Sequence, residues 1–299
     1  MQLSHIFLSD KVQQAINNNQ PVVALESTVI SHGLPYPHNK ETALAMEQAV
    51  RDGGATPATI AILGGKITVG LSEAQIDQLA QAKDVRKCSR RDIPIAVGLG
   101  EDAATTVAGT MIIAHMVGIK VFATGGIGGV HRGHPFDVSA DLQELGRTPV
   151  AVVCSGAKSI LDLPLTREVL ETQGVPILGY GTDELPAFYS RSSGLSVDVR
   201  VENPEQVASI IHAAHDLSAQ HGILITVPVP ADKALPNDFA DNAIAQATDE
   251  AEAQGIHGKD VTPFVLARVA ELTDGESIVA NRALLVNNAK TAAAIAAAL

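Results

Sequence analysis

Four polar clusters interrupt the apolar runs of this chain, and they hold the side chains able to do chemistry. The first is Glu26-Ser27-Thr28, inside the run from Val22 to Ile30. An acid in such a run is costly unless it is paired or functional. Glu26 is either a carboxylate facing solvent from an edge strand, or a carboxyl with a raised pKa suited to general acid work. The second is Arg86-Lys87-Cys88-Ser89-Arg90-Arg91-Asp92, which reads either as a phosphate-holding turn or as a solvated loop. The third, Thr124-Gly125-Gly126-Ile127-Gly128-Gly129-Val130-His131-Arg132-Gly133, directly follows an apolar strand. Consecutive glycines let backbone N–H groups converge on an anion, and His131 and Arg132 add donors. Asp137 and Asp141 come next, flanking Ser139, and fit either a hard divalent cation or a helix cap. The fourth is Cys154-Ser155-Gly156-Ala157-Lys158. Lys158 is either a loop lysine in solvent or a buried amine, which in its neutral form attacks a carbonyl or masked aldehyde. Near the C-terminus, Asn287 and Asn288 offer amides that read as base-pairing groups or as helix-face hydrogen bonders.

Other chemistries lack their residues. The ten histidines form no H-E-x-x-H pattern, and Cys88 and Cys154 are far apart. There is no G-x-S-x-G elbow, no Walker loop and no dinucleotide fingerprint.

The elements that must carry these clusters alternate. Strands are expected at Val22–Ile30, Ala58–Leu63, Lys66–Val69, Ile93–Val97, Lys120–Ala123, Val150–Val153, Val175–Gly179, Leu195–Val201 and Ile223–Val227. Helices are expected at Asn39–Asp52, from the capping box Ser72-Glu73-Ala74-Gln75, at Asp102–Val117 and Thr166–Gln173, and from Asn203-Pro204-Glu205. Three more helical segments close the chain, one opened by Thr262-Pro263. Alternation of this kind predicts an α/β sheet with helices on both faces, and ligands at the carboxyl ends of the strands. Gly64-Gly65 marks a small hairpin near residues 58–70, so the sheet is expected to be mostly parallel but mixed. No repeat or linker divides residues 1–299, so a single domain is expected.

Composition narrows the function. A net charge of −12 with only 3% aromatic residues argues against a nucleic-acid surface. Two cysteines imply no disulfide framework and suit a reducing cytoplasm. Met1-Gln2-Leu3-Ser4-His5 does not read as a signal peptide, and the apolar stretch Ala103–Ile119 reads as a buried helix rather than a membrane span.

Taken together, the clusters resemble the pseudouridine-5′-phosphate glycosidase family, which is related to the indigoidine-synthesis protein A group. The matching stretches are VVALESTVISHGLP from Val22, PATIAILGGKITVGLS from Pro57, KCSRRDIP from Lys87, ATTVAGTMIIA from Ala104 and KVFATGGIGGVHRG from Lys120. FDVSADLQEL from Phe136, VAVVCSGAKSILDLPLT from Val150, TPFVLARVAELT from Thr262 and NNA from Asn287 complete the set. The resemblance implies a C–C glycosidic lyase interconverting pseudouridine 5′-phosphate plus water with uracil plus ribose 5-phosphate. It implies that Lys158 is the nucleophile forming a Schiff base with ring-opened ribose 5-phosphate, and that Glu26 is the proton donor. It implies substrate contacts from Lys87, from Ala104 to Val107 (hence Thr105, Thr106 and Val107), and from Ser139, Ala140 and Asp141. His131 and Asn288 join these as substrate-binding candidates. It further implies one manganese ion per subunit on Asp137, a three-layer α/β/α core, and a homotrimer. Two places depart from the family pattern: the segment between Arg132 and Asp137 is short, and Ser155 stands where alanine is common.

Overall fold

The computed structural model describes residues 5–256, 258 and 261–299. Residues 1–4, read above for a targeting segment, lie outside the described ones. The chain opens with strand β1 (Ile6–Leu8) and helix α1 (Asp10–Asn17), followed by β2 (Val22–Leu25), α2 (Thr28–Ser31) and α3 (His38–Asp52). Then come β3 (Thr56–Leu63), β4 (Lys66–Val69), α4 (Glu73–Gln81), β5 (Arg86–Cys88), α5 (Ile93–Leu99), β6 (Ala103–Thr105) and α6 (Val107–Met116). The middle holds β7 (Val121–Ala123), β8 (Val130–His131), β9 (His134–Val138), α7 (Ala140–Leu145), β10 (Ala151–Cys154), β11 (Leu161–Asp162) and α8 (Leu163–Thr172). The rest is β12 (Ile177–Tyr180), β13 (Val199–Val201), α9 (Pro204–Asp216), β14 (Ile223–Thr226), α10 (Asn237–Ala253), α11 (Val261–Leu272) and α12 (Glu276–Ala298).

The central sheet runs β1-β4-β3-β2-β7-β10-β14-β12-β13. From β3 through β13 every pair is parallel, while β4 and β6 pair antiparallel with β3. The expected α/β/α layering with a mostly parallel, mixed sheet is therefore correct. Strands β2, β10 and β14 are buried at every residue, as strands covered on both faces must be. The Gly64-Gly65 hairpin forms with Leu63 opposite Lys66. It is continuous with the sheet, because the first half of β3 pairs with β2.

Helix α12 lies against α3, α9, β2, β7 and β10. Its alanines allow that close approach: a Cβ built on Gly53 would stand 2.5 Å from the Cβ of Ala293. On α6 every residue from Val107 to Ala114 is buried, which confirms a core helix. No helix among the described residues is long and apolar enough to cross a membrane.

Several expected elements are corrected. The strand expected over Val22–Ile30 stops at Leu25, and Thr28–Ser31 is a helical turn. Beyond Thr59, β6 takes the place beside β3 that β2 holds lower down, so the chain at Glu26 leaves the ladder. Ile93–Val97 is not a strand but most of α5, with Pro94 in its first turn, where a missing N–H costs nothing. The helix expected from Asp102 begins only at Val107, since Ala103–Thr105 bridges β3 and β5 and Thr106 caps the helix. Of Leu195–Val201, only Val199–Val201 joins the sheet. The three-stranded sheet β11-β8-β9 was not anticipated.

Candidate active site

Register decides the site. Leu25 of β2 and Val153 of β10 both pair with Ala123 of β7, so the residues that follow these strands emerge together at their carboxyl ends. Glu26 comes from the first, Thr124 from the second, and Ser155 to Lys158 just beyond the third. The β7–β10 ladder continues past the sheet: Thr124 N–H donates to Val153 O (3.0 Å), Ser155 N–H to Gly125 O (2.8 Å), Ile127 N–H to Gly156 O (3.1 Å) and Lys158 N–H to Ile127 O (3.1 Å). The glycine run and the lysine turn are thus one paired backbone unit. Gly156 permits this with φ +84°, and a Cβ there would fall on Pro186 O.

Glu26 is buried, and its carboxyl accepts hydrogen bonds from the hydroxyls of Thr28 and Thr124. Burial pushes its pKa up, against the pull of the nearby Lys158 charge and the two hydroxyls; Asp141 adds a further upward push. The Lys158 charge also reaches His131 on the β8–β9 flap. Burial lowers the His131 pKa, Asp137 opposes this, and the charges of His134, Lys87 and Lys158 reinforce it. Lys158 is thus within electrostatic reach of both Glu26 and His131.

Asp141 is 5% exposed and fully committed. Its Oδ1 accepts from Ala108 N–H (2.9 Å) at the start of α6, and its Oδ2 from Gly128 N–H (2.8 Å) in the glycine run. Ser139 caps α7, accepting from Asp141 N–H at 3.2 Å, while Ala140 is exposed beside it. Thr106 caps α6 and meets the Ser89 hydroxyl at 3.0 Å. The Thr105 hydroxyl is buried, donating to Ile60 O (2.8 Å) and accepting from Thr110 (2.9 Å), and the Val107 side chain is in the core. Lys87 lies on β5, in register with Ala104, and is half-buried.

In the basic turn around Lys87, Arg86 and Arg90 are spent on carboxylates. Arg86 pairs with Glu101, Nη2 to Oε1 at 3.0 Å. Arg90 grips the fully buried Glu144 of α7 with two bonds, 2.8 and 2.5 Å, and Arg147 and the Thr148 hydroxyl reach the same carboxylate. Burial alone would raise the Glu144 pKa, but these hydrogen bonds and charges hold it below the usual carboxylate range. The segment bearing Lys87 is thereby tied to the helix that follows Asp137.

Asp137 sits exposed on β9. The short segment before it is a tight hairpin, with His131 opposite His134 and Gly133 at φ +73°. Pro135 to Asp137 bulge out of that pairing, which leaves Phe136 99% exposed. Arg132 anchors the hairpin through Ser159 O (2.9 Å) and Leu161 O (3.1 Å). His131, Asp137 and Phe136 line a cavity of about 420 Å³ together with Ile256, Val261 and Val265. No group of three or more His, Cys, Asp or Glu able to hold a metal occurs among the described residues. An ion on Asp137 would keep most of its shell as water and substrate oxygen, a habit of Mg²⁺-like ions that one carboxylate suffices to serve.

Asn288 is wholly buried beneath the glycine run, donating to Thr124 O (2.8 Å) and Ser155 Oγ (3.1 Å). The Ser155 hydroxyl bonds this amide (3.3 Å), so the serine beside the lysine turn serves the packing of α12. Asn287 reaches Pro228 O at 3.5 Å. Sequence reasoning missed Thr124 and Thr28 as partners of Glu26 and Glu144 as the anchor of Arg90. The available signal was a hydroxyl residue at each strand end and an acid within α7.

A mostly parallel α/β sheet whose strand ends carry a buried acid within electrostatic reach of a lysine has the form of an α/β enzyme site. The chain belongs to the indigoidine synthase A-like family, whose model matches residues 11–298. It is 59% identical over 300 residues to a pseudouridine-5′-phosphate glycosidase of Herpetosiphon aurantiacus, covering 99% of each chain. Against the enzyme of that name from Caldanaerobacter subterraneus it is 54% identical, covering 98% of this chain and 96% of the other. Among solved structures, the prealnumycin C-glycosynthase AlnA in complex with ribulose 5-phosphate aligns with TM-score 0.90 and 41% identity, over 98% of this chain and 96% of that one. An indigoidine synthase A-like protein from Thermotoga maritima aligns with TM-score 0.90 and 38% identity over the same shares.

Proposed function

We infer that this protein is a pseudouridine-5′-phosphate glycosidase, cleaving the C–C glycosidic bond with water to give uracil and ribose 5-phosphate, and running the reverse reaction. The observation that carries the reading is the Glu26–Lys158 pair, held at the strand ends with the acid's pKa raised. A carbon–carbon bond to uracil cannot leave by simple protonation of a heteroatom. Opening the ribose with a lysine amine places a nitrogen lone pair on the anomeric carbon, which expels uracil, with the bonding electrons, as the iminium forms. In this reading the Lys158 amine bonds to the anomeric carbon while the C1′–O4′ bond breaks, and Glu26 gives its proton to the departing ring oxygen. The nitrogen lone pair then forms the C1′=N iminium as the C–C bond breaks, uracil keeps that bond's electron pair and takes up at the same carbon the proton shed by the lysine nitrogen, and water releases ribose 5-phosphate from the lysine.

Lys87 and the glycine-run N–H groups anchor the phosphate and so fix the anomeric carbon against Lys158. Asp141 fixes the glycine run through Gly128 N–H, and in this reading His131, Ser139, Thr105, Thr106 and Val107 complete the substrate pocket. Asp137 would hold one divalent cation per subunit, manganese in our reading. When bound, the ion supplies Lewis-acid polarisation and order to the sugar's oxygens. We further propose a homotrimer working in the cytoplasm, where the two buried free cysteines, Cys88 and Cys154, stay reduced.

The test mixes protein, uracil, ribose 5-phosphate and manganese, and follows pseudouridine 5′-phosphate by mass. Product lost on chelation and in Lys158→Ala, with borohydride trapping ribose 5-phosphate on the wild type only, is the expected result. A turnover-competent Lys158→Ala enzyme would end the lysine mechanism. The likeness to a C-glycosynthase favours one second reading, a lyase acting on another phosphosugar or acceptor. Trapping without product from uracil would select it, and binding of ribose 5-phosphate without trapping would leave only a phosphosugar-binding protein.

A further inference from the structure

We propose that a cavity at the opposite, amino-terminal edge of the sheet is a second ligand site, built for a small anion carried on a flat apolar body, the chemistry of a nucleoside monophosphate. The cavity measures about 440 Å³ and is lined by His115, Lys120, His212, His215 and His221. That volume lies within the roughly 300–1,000 Å³ of small-molecule sites. The chain has ten histidines and a net charge of −12, yet four histidines and a lysine gather here and no carboxylate lines the wall. Ile119, Ile211 and Ile223 form an apolar floor.

The site is separate from the catalytic one. Lys120 precedes β7, Val150 and Ala151 open β10, and Ile223 opens β14, so the cavity lies at the strand starts, whereas Glu26, Thr124 and Lys158 lie past the strand ends. The imidazoles do not converge as metal ligands, because no metal-holding group of three occurs among the described residues. Spread around a cavity, they suit the several oxygens of a phosphate monoester instead.

Two of the five side chains have another explanation. His115 and His215 sit in the last turns of α6 and α9, where helix ends favour positive charge. That does not account for His212, His221 or Lys120. His221 Nδ1 lies 2.9 Å from Gly222 O, which commits that nitrogen and leaves Nε2 for a ligand. The charged groups from the packed elements are few. On α9, Asp216 stands 3.7 Å from His215, and before β10, Arg147 is held by Glu144. Lys120 supplies an ammonium group, and histidine is the side-chain type that ordinarily gains charge between about pH 8 and about pH 6.

The probe is AMP, measured by calorimetry on the full chain at about pH 6 and about pH 8 with saturating ribose 5-phosphate filling the catalytic site. Saturable binding at the lower pH is expected, weaker by about tenfold at the higher pH and in His212→Gln/His221→Gln, with Lys120→Gln weakened at both. These variants should keep wild-type melting and turnover without AMP, and Lys158→Ala should bind AMP normally. Absence of binding, binding displaced by ribose 5-phosphate, equal binding of adenosine, or unchanged affinity in the double variant would each overturn the site. None of these outcomes depends on whether pseudouridine 5′-phosphate is formed, so the two readings fail separately.

Discussion

Glu26 sits where two demands conflict. Burial favours its neutral form, while Lys158 and two threonine hydroxyls favour the charged one, and burial wins. A carboxyl whose pKa is raised by burial is suited to give a proton to the departing ring oxygen. Replacing it with glutamine removes the donor, and kcat is expected to fall by about 10²–10⁴ with little change in binding of ribose 5-phosphate. The same substitution tests the protonation state through stability. For a carboxyl whose folded pKa is raised, its contribution is fully present at low pH and is lost as pH rises through the folded value. Thermal melts should therefore place Glu26→Gln above wild type at about pH 8 and level with it near pH 4. A variant that melts lower at the higher pH would mean that the resting group is the carboxylate, and the general-acid role would fall.

At the scale of elements, the site depends on struts rather than on its own residues. Arg90 and Glu144 join the turn after Lys87 to α7, and Asp141 joins α7 to the start of α6 and to the glycine run. Glu144→Gln weakens the first strut while keeping its volume. We expect a stability loss of about 2 kcal/mol, less than for a fully buried pair because Arg90 and Arg147 are half exposed. The KM for ribose 5-phosphate should rise more than kcat falls, since the Lys87 segment shifts while Lys158 does not; a fall in kcat alone would assign Glu144 elsewhere. The pKa of Glu144 is lowered, so its contribution is present above the unfolded carboxylate range and is lost as pH falls through the folded value. The second strut is tested at Gly128, where a Cβ would fall on Ser139 Oγ and lie 2.9 Å from Asp141 Oδ2. Gly128→Ala is expected to abolish most turnover in the uracil assay while borohydride trapping on Lys158 persists in part.

Across the whole molecule, the parallel core fixes both thiols out of reach. Burial pushes Cys88 and Cys154 up to about 12. Native protein should react with neither an aromatic disulfide reagent nor iodoacetamide at neutral pH, and both thiols should appear together on unfolding. Rapid labelling of one thiol in native protein would show an opening that this packing does not contain. Occupancy of the active site should also be felt globally: ribose 5-phosphate at a hundredfold its Kd adds about 2.7 kcal/mol of stability, visible as a higher Tm. A Tm unmoved by that ligand would contradict the phosphosugar site.

The sequence by itself determined the alternation of strands and helices through most of the chain, the buried strand beginning at Val22, the Ser72 and Asn203 helix starts, and which polar clusters interrupt the apolar runs. These are local properties: periodicity, capping chemistry and the cost of a polar residue among apolar ones act over a few neighbours. It misread Ile93–Val97 and extended β2 to Ile30, because a short apolar run serves strand and helix equally until a partner is present. Tertiary structure alone decided that Leu25, Ala123 and Val153 share one register, and so that Thr124 reaches Glu26 with the Lys158 charge nearby. It alone spent Arg90 on Glu144 and sank Asn288 under the glycine run. Charge and hydrogen bonding are settled by distance in space, and residues 133 positions apart, such as Ser155 and Asn288, acquire that distance only when the sheet closes.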